Sequence, residues 1–256
     1  MLAVVSLGPT ACVDPEIDSE HGYIGPGESS VSLGVTFRAL SNGSLGATRS
    51  QKGDLIGTIG DVFVAWYTED GALAGSDYLP RDRMDVTDVE RPGSATELRT
   101  QHAEFQCRIP YGRYRIYAVA NMGDLSADAT LAARIGREED LRSIVQEWVD
   151  DPVGDNCQMA GYFTPNDSGG TRGEAPLLTV DAPRQRLHAW IRRLVSKVTV
   201  SFDTTGLYEN VYIYIKSARI RNIPRSCTLL DANDGKRIAD PAKDVIFAGD
   251  TIAYGS

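Results

Sequence analysis

With 256 residues, 42% of them hydrophobic, the chain has enough apolar surface for one large or two ordinary domains, which excludes wholesale disorder. A formal charge of -9, from 35 acids against 26 Lys and Arg, argues against a nucleic-acid partner, which would need a basic face. Basic residues do cluster at 184–193 and 219–225, but aliphatics and aromatics alternate with them, as on solvated strand faces. Cys12, Cys107, Cys157 and Cys227 form no CxxC, so a zinc ribbon or a thioredoxin-type motif has no support.

In chain order, the first element is the apolar run 1–7 (MLAVVSL), followed by Gly8, Pro9, Thr10 and Ala11 and then Cys12. A short apolar run ending in small residues has the shape of a secretory signal. Small residues directly before a cysteine resemble a bacterial lipoprotein box. Residues 1–12 are therefore expected to be a lipoprotein signal, with Cys12 carrying the lipid. The segment 13–30 has five acids, three glycines and two prolines and little to bury, which predicts a flexible acidic tether. Acids just after such a cysteine resemble the surface-export signal of lipoproteins in the Bacteroidetes phylum. Elsewhere no run of ~20 apolar residues occurs, so the membrane is reached only through the lipid anchor. With Cys12 committed, at most one disulfide joins Cys107, Cys157 and Cys227, and which pair stays open.

Beyond the tether the chain alternates. Val31, Leu33, Val35 and Phe37 are apolar at every second position, which predicts a strand over 31–40 with one buried face. The run 61–67 (DVFVAWY) is apolar on both faces, as in a central sandwich strand, and Asp70-Gly71 supplies a turn after it. Residues 105–109 and the alternating Tyr114, Ile116, Ala118 and Ala120 flank Pro110-Tyr111-Gly112, which predicts a hairpin. One helix is predicted, over 138–149. Leu141, Ile144, Val145 and Trp148 share a stripe behind the acidic first turn of Glu138, Glu139 and Asp140.

In the second half, Leu187, Ala189 and Ile191 carry the apolar face at odd positions, then Leu194, Val198, Val200 and Phe202 at even ones. Strand side chains alternate strictly, so the chain changes face near 192–194. That flip sets the domain boundary: an N-terminal β-sandwich over 31–191 and a second β-domain over 192–256. The latter supplies only ~60 residues, too few strands for a sandwich core, so it is expected to be incomplete.

Catalytic signatures are missing: there is no HExxH, Walker loop, GxSxG or GxGxxG. Gly53, Gly57 and Gly60 precede a strand, where a phosphate cradle needs a helix. His21 lies in the tether. His102 and Cys107 are five apart and so face opposite sides of a strand, and His188 points away from the Leu187–Ile191 row as a surface residue. Asp231 to Gly235 mimics a calcium loop, but its glycine comes one position early and no closing acid follows. No enzyme, metal or cofactor is expected. Paired glycosidase carboxylates stay open, because sequence spacing says little about spacing in space.

Four segments in this order resemble the fimbrillins of the Bacteroidales, pilus proteins of the FimA-type (type V) superfamily. They are 62–71 (VFVAWYTEDG), 109–121 (IPYGRYRIYAVAN), the long strand over 187–200, and 212–224 (YIYIKSARIRNIP). The likeness covers 31–230. It implies tandem transthyretin-like Greek-key β-sandwiches and a secreted lipoprotein at the cell outer membrane. The role implied is that of a fimbrial subunit, tip or anchor, with other fimbrial subunits and a surface receptor or glycan as partners. In polymerising members a protease cuts after an arginine and frees the first strand's groove for a neighbour's strand. The likeness implies a cut here between Arg49 and Ser50, with Arg38-Ala39 as a second possibility inside the strand, and Val31, Leu33, Val35 and Phe37 mark the exchanged strand. The alternative is a glycan-binding surface lipoprotein that does not polymerise. Its candidate aromatics are Tyr111, Tyr114, Tyr117, Tyr212 and Tyr214, of which only Tyr212 and Tyr214 share a strand face.

Overall fold

The computed structural model describes residues 24–37, 58–89, 100–147, 157–166, 173–194, 217–223, 226–231 and 243–248. The strands are β1 (Glu28–Phe37), β2 (Asp61–Tyr67), β3 (Leu73–Pro80), β4 (Asp85–Val89), β5 (Thr100–Pro110) and β6 (Gly112–Ala120). They are followed by β7 (Val145–Glu147), β8 (Met159–Thr164), β9 (Leu178–Val180) and β10 (Arg184–Arg193), then β11 (Ser217–Ile223), β12 (Ser226–Thr228) and β13 (Lys243–Ala248). Two short helices, α1 (Ala129–Ala132) and α2 (Glu138–Arg142), lie between β6 and β7. The fold is all-β.

One sheet runs in the order β3-β2-β6-β8-β10-β1-β5-β4, with β9 added on β6. Its two edge strands, β3 and β4, are joined through a short 3-10 turn, Arg81–Arg83, so the sheet curls back on itself. The result is two facing layers, β3-β2-β6-β8 and β10-β1-β5-β4, meeting at the β8–β10 pairing. Between them lies the main core. Val62, Val64, Trp66, Ile116, Ala118 and Phe163 of the first layer face Val31, Leu33, Val35, Phe105, Leu187 and Ile191 of the second. The other face of the first layer is buried as well: Phe63, Tyr67 and Tyr117 pack against Leu125, Ile135, Leu141, Ile144, Leu229 and Leu230. This accounts for the two apolar faces of β2, the alternate residues of which belong to the two cores.

At the corner, Gly161 lets the layers bend together. A Cβ there would sit 2.1 Å from the Trp190 carbonyl oxygen, a contact that only backbone movement could relieve. Gly161→Ala is expected to destabilise the fold by about 2–3 kcal/mol, measured by urea unfolding.

In the second core the Tyr117 hydroxyl donates to Glu138 and accepts from the Ala175 N–H at 2.7 Å, while the Tyr67 hydroxyl donates to the Ile135 carbonyl at 2.9 Å. Burial, and then the nearby Glu138 carboxylate, push both phenols well above their ordinary range. The unfolded chain therefore releases these protons near pH 10 while the folded chain keeps them. Stability is full below about pH 10 and falls above it, by up to ~1.4 kcal/mol per pH unit for each phenol. Alkaline unfolding followed by phenolate absorbance checks this; Tyr67→Phe and Tyr117→Phe should each flatten the slope.

Three expectations are corrected. The strand from the tether begins at Glu28, three residues before Val31, because Ser30 N–H bonds the Pro183 carbonyl and the ladder with β5 extends to Glu28↔Pro110. The helix stops at Arg142 where the 3.6-residue stripe pointed to Val149. Leu229 N–H bonds the Ile144 carbonyl and Leu230 N–H the Arg142 carbonyl, and β12 pairs with β7. A tertiary partner thus takes the carbonyls that a longer helix would use; Leu141 and Ile144 are buried, while Val145 is 46% exposed. Finally, β5 and β6 do not form a hairpin. The edges of β5 are occupied by β1 and β4, those of β6 by β2 and β8, so the chain arches from one layer to the other at Tyr111, whose N–H bonds the Gly27 carbonyl at 2.9 Å.

The change of face at the end of β10 is visible: Leu187, Ala189 and Ile191 belong to the main core, and Leu194 packs against the second. β13 contains the Val245, Ile246 and Phe247 that sequence marked as strand-like, and it pairs with β11.

Candidate functional site

The candidate site is the groove that holds β1. This strand lies between β5, to which it runs antiparallel, and β10, to which it runs parallel, so both of its backbone edges are paired. Leu33 stands opposite Phe105 on one side and Leu187 on the other; Val35 stands opposite Ala103 and Ala189. Val31, Leu33 and Val35 are fully buried and Phe37 nearly so, on a floor that includes Ile109, Cys107 and Ile191. All four residues that the alternation selected therefore point into one apolar trough.

The outward face of β1 carries Ser30, Ser32, Gly34 and Thr36, small residues in a row between larger neighbours. Thr36 Oγ1 lies 2.7 Å from His102 Nδ1 and 2.8 Å from His188 Nε2. His102 Nε2 lies 3.3 Å from Glu104 Oε1, and Glu104 in turn accepts from Arg186. A hydroxyl has one proton to give, which orders the chain of bonds. With His102 as the neutral Nε2–H tautomer that Glu104 favours, Nδ1 accepts from Thr36, and Thr36 then accepts from His188 Nε2–H. The bond from His102, with Arg186 beside it, holds the Glu104 carboxyl below its ordinary range. The two imidazoles face each other across β1 at 6.2 Å and 16°, and Trp190 meets His188 edge-on at 5.0 Å.

Sequence spacing placed His102 and Cys107 on opposite faces, as found: Cys107 is in the core and His102 is outside. The surface assignment of His188 needs correction, since it is half-buried against Thr36, His102 and Trp190. Nothing in the sequence joins three residues so far apart; only the register of β1 with both neighbours does.

No protein-family model matches the sequence, and no curated protein does. Among solved structures, a fimbrial assembly protein from Parabacteroides distasonis is similar at 12% identity and TM-score 0.47, over 89% of this chain and 80% of that one. The tip fimbrial protein Mfa3 from Porphyromonas gingivalis, with a C-terminal truncation, is similar at 14% identity and TM-score 0.45, over 87% of this chain and 65% of that one. A putative cell adhesion protein from Parabacteroides distasonis is similar at 11% identity and TM-score 0.43, over 88% of this chain and 65% of that one. This chain spans about two thirds of the length of the Mfa3 structure.

Thr36, His102 and Glu104 have the order of a nucleophile, a base and an orienting acid. The geometry argues against that chemistry, because the hydroxyl is buried and held by both imidazoles, leaving a substrate carbonyl no approach. Among the described residues no group of three His, Cys, Asp or Glu side chains is placed to hold a metal, and no helix is long and apolar enough to cross a membrane. No disulfide joins Cys107, Cys157 and Cys227. Burial and the neighbouring Asp77 push the Cys107 thiol far above its ordinary range, which makes it unreactive.

Other sequence candidates fall differently. Tyr114 and Tyr117 are buried, which removes them from an exposed aromatic platform. Cys12, His21, Arg49, Ser50, Gly53, Gly57, Tyr212, Tyr214 and Gly235 lie outside the described residues. Asp231 is engaged by Arg142 at 2.9 Å. Asn121, which ends the VAN run, has a positive φ of 62° and ties three segments: it accepts from Gly60 N–H and donates to the Thr58 and Cys157 carbonyls.

Proposed function

We propose that this chain is a fimbrial subunit or accessory protein of the outer cell surface that assembles by strand exchange at the β1 groove and mediates adhesion. One observation carries the reading. The first of the described strands is a central strand of the sandwich, yet both of its partners come from much later in the sequence. Its contribution is an extended backbone and four alternating apolar side chains, which a strand from another molecule could supply equally well. Removing β1 would open two unpaired edges and an apolar trough that only a strand can close.

The lipobox-like Cys12 would tether the subunit during export, and cleavage between Arg49 and Ser50 would release residues 28–37 together with the anchor. Partners are then other fimbrial subunits and a surface receptor or glycan. The test is to treat the purified chain with an arginine-specific protease and follow its size. Loss of β1 with growth of oligomers is the expected result. An uncut monomer points to an anchoring or non-polymerising role, and a cut product that stays monomeric and folded removes the strand-exchange reading.

A second reading has its own observation. A cavity of about 500 Å³ is lined by Ile24, Pro26, Tyr111, Arg113, Thr179 and Asp181. An aromatic ring beside a guanidinium, a carboxylate and a hydroxyl suits a sugar. A surface glycan receptor would bind a glycan array and lose that binding in Tyr111→Ala.

A further inference from the structure

The four inward side chains of β1 fix which face of a strand enters the trough, but only partly its register. A slip of two residues keeps the alternating set pointing inward, with Phe37 taking the place of Val35 in one direction and Ser29 that of Val31 in the other. The outward face adds a second distinction between registers two residues apart. We propose that His102 and His188 form a register gate that selects the strand admitted between β5 and β10. An admitted strand must present glycine at the position of Gly34 and a hydroxyl residue two positions later, where Thr36 stands.

The gate has a steric part and a polar part. A Cβ at position 34 would lie 3.1 Å from His102 Cε1 and 3.3 Å from His188 Cδ2, tighter than ordinary contact on both sides at once. A carbon between two rings at normal separations of ~3.5–4.0 Å needs the rings ~7–8 Å apart, and these centroids are 6.2 Å apart. Neither ring is free to swing away. His102 is held by Thr36 and Glu104, and His188 by Thr36 and the edge of Trp190. At position 36 one hydroxyl joins both imidazoles, at 2.7 and 2.8 Å. An aliphatic residue there would leave a half-buried donor and a half-buried acceptor unmatched.

A slipped strand fails on both counts. Moved by two residues one way, Thr36 would enter the gap between the rings; moved the other way, Ser32 would enter it, and Gly34 would offer no hydroxyl to the histidines. The Arg186–Glu104 pair lies above the same stretch, since Gly34 is opposite Glu104 and Ser32 opposite Arg186. The partner that fits is thus an extended segment with apolar residues at alternate positions and an outward Gly-x-Thr or Gly-x-Ser at the gate.

The inference rests on the strand-exchange reading for its biological use, and two experiments separate their failures. In the first, the full chain carries a site-specific protease sequence within residues 41–57 and is cut after purification, so that every residue is still present. A fluorescent peptide with the sequence of Glu28–Phe37 is then offered in excess. The native peptide should exchange in. Peptides with Gly34→Val or Thr36→Val should compete about tenfold more weakly, as loss of a half-buried hydrogen bond or forced contact implies. In a chain with His102→Ala and His188→Ala the difference should shrink to less than about threefold. Equal competition by all three peptides on the native chain overturns the gate. Failure of the native peptide to exchange counts against strand exchange and leaves the gate to the second experiment.

That experiment uses the uncut chain. Thr36→Val should lower the folding constant about tenfold when both histidines are present and less than about threefold when both are alanine. Equal effects in the two backgrounds overturn the gate, whatever the fate of exchange.

Discussion

Leu33→Ala is expected to destabilise the protein by about 3–5 kcal/mol in urea unfolding, the range for a buried leucine whose surroundings cannot collapse. Leu33 is fully buried, opposite Phe105 on one neighbour and Leu187 on the other. Because β1 is held on both edges, it cannot slide into the space that the missing methyls leave. The same change in the exposed Val145 should move stability by less than ~0.5 kcal/mol. A loss below ~1 kcal/mol at Leu33 would mean that the trough is loosely filled and that the groove reading is mistaken.

Arg142→Met should have an effect of similar size, about 2–4 kcal/mol, for an electrostatic reason. Arg142 bonds Asp231 at 2.9 Å and lies 3.8 Å from Glu138 and 3.9 Å from Glu174. Glu138 is nearly buried, so removing the cation leaves a carboxylate short of water and of one of its two arginines, the other being Arg115 at 3.6 Å. The change also loosens residues 226–231, which close the second core with Leu229 and Leu230. Arg142→Met combined with Asp231→Asn should be less damaging than the sum of the two alone, as expected for groups in one network. Additive losses would show that the ion pair contributes nothing to docking that segment.

How much of this was legible in the sequence depended on how far each feature reaches. Strand alternation is local, so the inward set Val31, Leu33, Val35 and Phe37 and the doubly apolar β2 could be read directly. The helix over 138–149 failed because periodicity describes a segment in isolation, whereas Leu229 and Leu230 arrive from ~90 residues away to claim the Ile144 and Arg142 carbonyls. The expected hairpin at Tyr111 failed for a related reason: turn chemistry marks a reversal but not whether the arms pair or part into separate layers. The His102–Thr36–His188 cluster was the least legible, since it exists only once β1 has found its register against two distant strands. A histidine that points away from an apolar row looks like a surface residue until its cross-strand neighbours are known.

The placement of β1 also has a consequence in time. Thr36 leaves the ribosome 152 residues before His188, a delay of roughly 8–30 s at ordinary synthesis rates. For that interval the opening strand has no seat, because one wall of its slot has not yet been made. The final closing of the sandwich therefore falls to the earliest-made of the described strands, and any other extended segment present meanwhile competes for the vacancy.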